Sequence, residues 1–334
     1  MTEIQLKTGE FLENKIYTIS ISNVWDENKM KYLLDSAKKK NFTIDIIGLN
    51  RPFNFLSKII YLREHLLMLP NNPIICFTDA YDVFYLDNLE TIYDKFISFN
   101  SDIVWSVEKL YSHQLKGDLN FYESLQNTSD YKYINTGTFI GYKNSLLELL
   151  NDINLSIKDQ QFLNELKKEG WGLKSSAVDQ TIISHHLVKN WEKYNIKFDY
   201  ECVIFYIPCG DWDNIEQYVN KKVQLISNGS SPSIIHVCWK LKYEHILEKL
   251  FSWKYYYTED LINKSYTWNN SKITFLDDEK MDAFGNGSYL FIDNNKIKAN
   301  FGEKIHEITF NEDFTEYVSI RQNDNQIIKG YLIK

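Results

Sequence analysis

Apolar and polar positions follow two different periods along the first hundred residues of the chain. Short runs rich in β-branched residues predict strands, and longer segments with apolar residues three or four positions apart predict helices. In chain order the predicted elements are strand 14–22, helix 27–41, strand 42–49, helix 57–69, strand 73–80, helix 88–99 and strand 102–108. Because strand–helix alternation is typical of an open sheet covered by helices, we predict an α/β fold.

The pattern is less regular after residue 110 and changes again near residue 255. Further predicted elements are strand 134–142, helix 143–154, helix 179–191, strand 196–206 and strand 233–239. Residues 281–334 consist of short alternating runs separated by turn signals such as GNGS and DNN, which predicts a small C-terminal all-β appendage. We therefore expect one domain at 1–254, and a connector with a small β accessory domain at 255–334.

Composition excludes some function classes. Hydrophobic residues make up 44% of the 334, and the formal net charge of −8 argues against a nucleic-acid partner held by phosphate contacts. No apolar window is long enough to span a bilayer, so we expect no membrane partner. The N-terminus has no basic segment followed by an apolar one, so we expect a cytoplasmic protein. The four cysteines have no CxxC spacing, and we expect reduced thiols.

Candidate chemistry lies at the end of the third predicted strand. The stretch ICFTDAYDVFYL places Asp79 and Asp82 three positions apart after an apolar run. Open α/β sheets bind ligands beyond the carboxyl ends of their strands, and two carboxylates suit a hard divalent ion such as Mg²⁺ or Mn²⁺. A turn that caps the next helix would use the same residues. Aspartyl phosphoryl transfer and metal-dependent hydrolysis stay open as alternatives.

A third metal ligand would have to come from a distant strand end. Of the seven histidines, His236 ends the apolar run SPSIIH, so its surroundings are similar to those of Asp79. The alternative is a histidine packed in the core. The chain has no GxxxxGK[ST] loop and no GxSxG elbow, so we do not expect a P-loop enzyme or an α/β-hydrolase.

Six short motifs occur along the chain in an order that is characteristic of one family. They are TISIS (18–22), FTDAYDV (77–83), INTGTFIG (134–141), VDQ (178–180), FDYECVIF (198–205) and IIHVCW (234–239). Over roughly residues 14–250 the chain resembles the glycosyltransferase domain of the procollagen lysyl hydroxylases. The resemblance implies a GT-A nucleotide-sugar transferase fold, a Rossmann-like mixed sheet flanked by helices, with the β appendage outside the match.

The resemblance also implies roles for individual residues. Asp79, Asp82 and His236 would bind Mn²⁺ on the diphosphate of a UDP-sugar. The residues implied to contact the donor are Ser20, Ile21, Ser22, Lys58, Tyr81, Thr136, Gly137 and Lys240. Asp179, Gln180 and Asn135 would lie beside the reacting sugar as the catalytic set. Val178 stands where the family has the first aspartate of its DDQ motif.

The activity implied by the resemblance is transfer of glucose from UDP-glucose to galactosyl-hydroxylysine of collagen or a collagen-like protein, with retention. The alternatives are a UDP-galactose-dependent hydroxylysine galactosyltransferase and a degenerate transferase that binds sugar or peptide. The Asn, Lys and Ile richness is typical of an AT-rich genome, and a stand-alone form would fit a large DNA virus with its own collagen-like proteins. For the appendage, homodimer formation and holding the acceptor strand both stay open.

Overall fold

The computed structural model describes residues 16–112, 115–125, 127–168, 178–209, 215–219, 222–238, 261–276, 280–283, 286–293, 296–311 and 313–333. These residues divide into two compact units. The first unit contains the described residues of 1–217 and 223–243, and the second contains those of 218–222 and 244–334. Within the described part of the chain, no helix is long and apolar enough to cross a membrane.

A six-stranded mixed sheet forms the centre of the first unit. Its strands are β1 (Ile16–Ile21), β2 (Asp45–Ile47), β3 (Ile74–Asp79), β5 (Ile103–Glu108), β6 (Tyr133–Tyr142) and β7 (Ile196–Phe198), in the order β2-β1-β3-β6-β5-β7. β1 is parallel to β2 and β3, and β5 is parallel to β7. β6 is antiparallel to both of its neighbours. The predicted α/β fold with a mixed sheet is confirmed.

The antiparallel β6 decides what lies at the carboxyl edge of the sheet. Thr138 pairs with Thr78 of β3, and Ile134 pairs with Val107 of β5. The beginning of β6 therefore lies beside the ends of its two neighbours. Residues 134–138 reach the edge at which open sheets bind ligands, although they come from the start of a strand.

Seven helices are described in the first unit. They are α1 (Glu27–Lys39), α2 (Phe55–Met68), α3 (Leu89–Ser98), α4 (Leu119–Ser124), α5 (Lys143–Ser156), α6 (Gln160–Lys168) and α7 (Val178–Asn190). Helix α2 begins with a capping box in which Asn54 and Ser57 bond each other's backbone N–H. Helices α4 and α6 were not predicted. Short 3₁₀ turns at Lys116–Asp118 and Trp191–Lys193 add to the connections.

Two smaller sheets are described besides the central one. β4 (Val83–Tyr85), β11 (Ile234–His236) and β8 (Phe205–Tyr206) pair in the order β4-β11-β8, and β9 (Ile215–Val219) pairs with β10 (Lys222–Leu225). The predicted single strand at 196–206 is wrong, because the chain turns between β7 and β8. The buried carboxylate of Asp199 accepts the N–H groups of Val203, Ile204 and Phe205 at 2.7 Å each and thereby caps that turn.

The described residues 265–331 of the second unit form one all-β sheet, as predicted. Its strands are β12 (Ser265–Trp268), β13 (Ser271–Phe275), β14 (Lys280–Asp282), β15 (Asn286–Asp293), β16 (Lys296–Phe301), β17 (Lys304–Phe310), β18 (Glu316–Arg321) and β19 (Ile327–Tyr331). Each pairs antiparallel with the next, and a bridge from Tyr266 to Leu332 connects the two ends. The sheet begins at β12, earlier than the predicted 281, because Tyr266, Trp268, Ile273 and Phe275 already alternate into its core.

Candidate active site

Strand ends and helix starts enclose a cavity of about 500 Å³ at the carboxyl edge of the central sheet. The predicted site residues that line it are Ile21, Lys58, Asp79, Tyr81, Asp82, Asn135, Thr136, Gly137, Asp179, Gln180 and His236. They come from β1, α2, the β3–β4 turn, β6, α7 and β11. Residues far apart in the chain are therefore brought to one place.

Asp79, Asp82 and His236 form a cluster with metal-ligand geometry. One ligand atom from each lies within 4.8 Å of the others. His236 Nε2 is 3.5 Å from Asp82 Oδ1 and 3.8 Å from Asp79 Oδ2. Two carboxylates and an imidazole fit Mn²⁺ or another divalent ion that accepts both oxygen and nitrogen.

The pairing of β4 with β11 carries His236 to the acidic pair. His236 lies opposite Val83 in the antiparallel register, and Val237 N–H donates to Asp82 O at 2.8 Å. Asp79 is the last residue of β3, and Asp82 directly precedes β4. A two-strand contact between distant segments thus places the imidazole at the acidic turn.

Asn135 orients the imidazole ring of His236. Asn135 Oδ1 lies 3.1 Å from His236 Nδ1 and also accepts the Gly137 N–H at 2.9 Å. The Asn135 amide in turn donates to Glu108 Oε1 at 3.3 Å, which turns its oxygen towards the ring. With Nδ1–H donating to Asn135, Nε2 is the ring nitrogen that faces the two carboxylates, so it is the atom that would bind a metal ion.

The charges of the cluster shift the pKa values of its members. Burial alone lowers the pKa of His236, but the neighbouring charges of Asp82 and Asp79 outweigh it and the pKa is raised. Burial raises the pKa of Asp79, although Lys58 and His236 oppose the shift. Because the pKa values of both groups are raised, protons compete with a divalent cation for this cluster.

Gly137 leaves the space that the cluster occupies. A Cβ at this position would lie against the His236 ring, 2.5 Å from Nδ1, and 2.8 Å from Asp79 Oδ2. Both groups are held by packed secondary structure, so they cannot easily move aside. A residue without a side chain is therefore required at position 137.

Lys58 connects the metal-ligand cluster to the start of α7. Its ammonium group lies 2.9 Å from Asp79 Oδ1 and 2.7 Å from Asp179 Oδ2. Burial lowers the pKa of Lys58, but Asp179 and Asp79 outweigh it and the net shift is upward. Thr136 Oγ1 lies 3.4 Å from the same Asp179 oxygen. The buried lysine is thus kept charged between two carboxylates.

Glu108 is a site residue that the sequence analysis missed. It ends β5, is buried, and its Oε1 accepts hydrogen bonds from Gln180 Nε2 at 2.9 Å and from Ser112 Oγ at 3.1 Å, besides the Asn135 bond. Burial raises its pKa, while Gln180 and Asn135 oppose the shift. An acidic residue at the end of an apolar strand was the signal that identified Asp79, and it applies equally here. Cavity-lining residues that were also missed are Phe53, Ala80, Ser112 and Cys238.

The predicted uridine contacts have defined partners in the structure. Tyr81 OH is 2.7 Å from Ser22 Oγ. The Ser22 hydroxyl also donates to Val24 O at 2.7 Å. Ser20 is fully buried and donates to Thr78 O at 2.7 Å, so its hydroxyl connects β1 to β3. Lys240 lies outside the described residues. The donor contacts of these residues stay predictions.

Comparisons with known proteins identify similar sequences and structures. The sequence model described as the PLOD GT domain matches residues 13–253. A procollagen-lysine,2-oxoglutarate 5-dioxygenase of Drosophila melanogaster is 34% identical over 150 residues, which cover 42% of this chain and 20% of that protein. The matched part is thus a small share of this relative. Mouse xyloside xylosyltransferase 1 in its apo form aligns with a TM-score of 0.41 and 11% identity, over 68% of this chain and 99% of that one.

Proposed function

The chain belongs to the family of PLOD GT domains, which makes it a UDP-sugar glycosyltransferase, and from that premise we propose that it moves glucose from UDP-glucose to galactosyl-hydroxylysine. The acceptor would be collagen or a collagen-like polypeptide, and the transfer would retain the anomeric configuration. The single observation that carries the proposal is the cluster of Asp79, Asp82 and His236, which lines a cavity large enough for a nucleotide-sugar.

The residues present fit a divalent ion, for which we propose Mn²⁺. Asp79, Asp82 and His236 Nε2 would hold it, with Asn135 fixing the ring that supplies the nitrogen. When bound, the ion would neutralise the negative charge that develops on the diphosphate as the bond between sugar and phosphate breaks. Gly137 keeps the space beside these ligands free.

The chain's own residues would stabilise the departing nucleotide and position the sugar. Lys58 adds a fixed positive charge beside Asp79, so it would contact phosphate or the donor sugar. Tyr81, held by Ser22, presents an aromatic face that suits stacking on uracil. With these contacts, the anomeric carbon of the donor would lie towards the α7 side of the cavity.

Asp179 and Gln180 would act on the sugar side of the cavity. The transition state of glycosyl transfer is oxocarbenium-like, so the Asp179 carboxylate can stabilise positive charge at the anomeric carbon or orient the acceptor hydroxyl. Gln180 is held in one orientation, because its amide donates to Glu108 Oε1 and to Ser112 O and its oxygen accepts the Thr136 N–H at 3.4 Å. We do not assign Asp179 as a covalent nucleophile.

A UDP-release assay tests the proposal. The full chain is incubated with Mn²⁺, with UDP-glucose or UDP-galactose, and with collagen peptides that carry either bare or galactosylated hydroxylysine. We expect acceptor-dependent release with UDP-glucose and the galactosylated peptide, and loss of release with EDTA. NMR of the product would give the anomeric configuration.

Other results of the same assay would replace the proposal. Transfer from UDP-galactose to bare hydroxylysine would identify a galactosyltransferase. UDP release that is independent of acceptor shows hydrolysis only. Saturable binding of sugar or peptide without turnover with any donor would indicate a binding module.

A further inference from the structure

Two cysteines lie just beyond the ends of two neighbouring strands, beside the candidate active site. Cys209 follows β8 and Cys238 follows β11, and these strands are parallel. The separation of 29 residues between the two cysteines is the same as that between Phe205 and Ile234, which are paired in the register. The two cysteines therefore lie the same number of residues beyond a paired position of the two strands.

Their sulfur atoms are already in contact. The two Sγ atoms are 2.6 Å apart, and both cysteines are free thiols. Neighbouring strands lie about 4.8 Å apart, which is within the range of Cα separations, about 4.4–6.8 Å, that a disulfide spans. A bond between these sulfurs thus requires little movement of the backbone.

Only one of the two cysteines lines the cavity among the described residues. Cys238 lines the cavity of about 500 Å³, whereas Cys209 is not among its lining residues and packs with Ile207 and Cys238 in a small apolar cluster. Cys238 also lies two residues after His236, just beyond the strand that carries this ligand to the acidic pair. A disulfide reagent that enters the cavity would react first with Cys238. Cys209 would then displace the half of the reagent that is bound to Cys238.

We propose that Cys209 and Cys238 are a reversible redox pair, which a small disulfide such as glutathione disulfide converts into an intramolecular disulfide beside His236. The proposal concerns only these two cysteines and does not depend on which sugar is transferred.

The small disulfide is the oxidant of the two protein thiols in this exchange. The Cys238 sulfur loses its proton and attacks one sulfur of the reagent, so that the reagent's S–S bond breaks, a mixed disulfide forms at Cys238 and one thiol is released. The Cys209 sulfur then loses its proton and attacks the Cys238 sulfur, which releases the second thiol. Two protein thiols are oxidised to one disulfide, and one small disulfide is reduced to two thiols.

The disulfide would connect the ends of β8 and β11. Because it closes a loop of 29 residues in the unfolded chain, we expect it to stabilise the folded state. It would also restrict the backbone that follows His236, and so hold the imidazole at the acidic turn. A reducing agent would reverse both effects.

The experiment uses the full chain and needs no variant for its main readout. The protein is incubated with glutathione disulfide, the remaining thiols are alkylated, and peptides are mapped by mass spectrometry with and without dithiothreitol. We expect a linked peptide pair that contains Cys209 and Cys238, and a mass loss of two hydrogen atoms. The thermal unfolding midpoint should rise by about 5 °C and return after reduction.

Two variants distinguish this pair from general oxidation. Cys209→Ser should have an unchanged midpoint after the same treatment and give only a mixed disulfide at Cys238. Cys76→Ser is the matched control, since it removes a thiol outside the pair, and it should form the same Cys209–Cys238 disulfide as the unmodified chain.

Three outcomes would overturn the proposal. One is linkage through Cys76 or Cys202 in place of the pair, and another is disulfide-linked dimers without the internal bond. The third is a stoichiometric zinc ion in the reduced protein, held by Glu108, Cys209 and Cys238, that protects both thiols from alkylation.

Discussion

The two units bury their polar side chains in different ways. In the second unit, the buried polar side chains among the described residues are His306 and Ser319, which bond to each other at 2.9 Å. The rest of its core is apolar and rich in aromatic rings. In the first unit, charged groups such as Lys58, Glu108 and Asp179 are buried together at one edge of the sheet.

The difference indicates that the buried polar groups of the first unit serve the candidate site, whereas an apolar core serves stability. Burying a charge costs free energy unless it is paired and hydrogen-bonded, so a chain keeps buried charges where they serve a purpose other than packing. The described core of the second unit contains no such cluster of buried charged groups. Substitutions that neutralise polar groups at the edge of the first unit should therefore reduce activity more than stability, and equivalent changes in the second unit should not affect activity.

The largest expected effect is that of Asp79→Asn. Losing one carboxylate from the metal-ligand cluster should lower the turnover number by about 10³-fold, because several kcal/mol of charge stabilisation disappear. The thermal midpoint should hardly fall. Burial raises the pKa of Asp79, so burial disfavours its charged form, and a neutral amide avoids that cost. Asp313→Asn, in an exposed turn of the second unit, is the matched control and should keep full turnover. Full turnover in Asp79→Asn would remove the metal-site argument.

The next largest effect is that of Gly137→Ala. The new Cβ would collide with the His236 ring and with Asp79 Oδ2, so we expect a loss of Mn²⁺ affinity of about 100-fold, measured by calorimetry. Gly302→Ala in the second unit is the comparison, because no atom lies within 4 Å of its added Cβ. Its φ of +64° makes the substitution mildly destabilising, without any change in metal affinity. Equal affinities in the two variants would contradict the role of Gly137.

A smaller effect is expected from Glu108→Ala, which tests positioning rather than direct contact. Without the carboxylate, the Asn135 and Gln180 amides lose their common acceptor, and His236 loses the group that fixes its hydrogen-bond partner. We expect Mn²⁺ affinity to fall about 10-fold. Glu108→Gln should recover part of this loss, because its amide oxygen can still accept. A purely structural Glu108 would lower the thermal midpoint while leaving metal affinity unchanged.

The smallest expected effect is on pH dependence. The two units each contain a buried histidine, and the pKa values of these two histidines shift in opposite directions. Although burial lowers the pKa of His236, Asp82 and Asp79 outweigh it and raise it above 6.5. A proton therefore competes with Mn²⁺ already above pH 6.5, and apparent affinity should fall by up to about tenfold per pH unit below the raised pKa. Calorimetric titrations between pH 6 and 8 would measure this, and an affinity that is independent of pH would contradict it.

For His306 of the second unit, burial lowers the pKa from 6.5. The unfolded chain then binds a proton near pH 6.5 that the folded chain does not, so this histidine should reduce stability as the pH falls below about 6.5. Thermal unfolding of the unmodified chain and of His306→Gln would show the difference, with the variant less sensitive to acid. The His306→Gln substitution should leave metal affinity unchanged, because His306 is not one of the proposed metal ligands.

Local patterns were sufficient to predict most of the elements and the two parts of the site that lie on them. Asp79 was identified because an apolar run ends in a carboxylate, and His236 because a second apolar run ends in an imidazole. The same rule would have found Glu108 at the end of β5. The turn at Asp199 was missed because its aromatic and β-branched neighbours favour a continuous strand.

The sequence by itself determined the α/β class of the first unit, the all-β class of the second and the acidic turn, since periodicity and strand ends are local properties. Only the tertiary structure decided that β6 runs antiparallel between β3 and β5, which brings Asn135 and Gly137 to the ligand edge. It also decided the contact of β4 with β11 that carries His236 to Asp82. Both depend on pairing between segments far apart in the chain, and no local pattern specifies which distant strand a given strand will pair with.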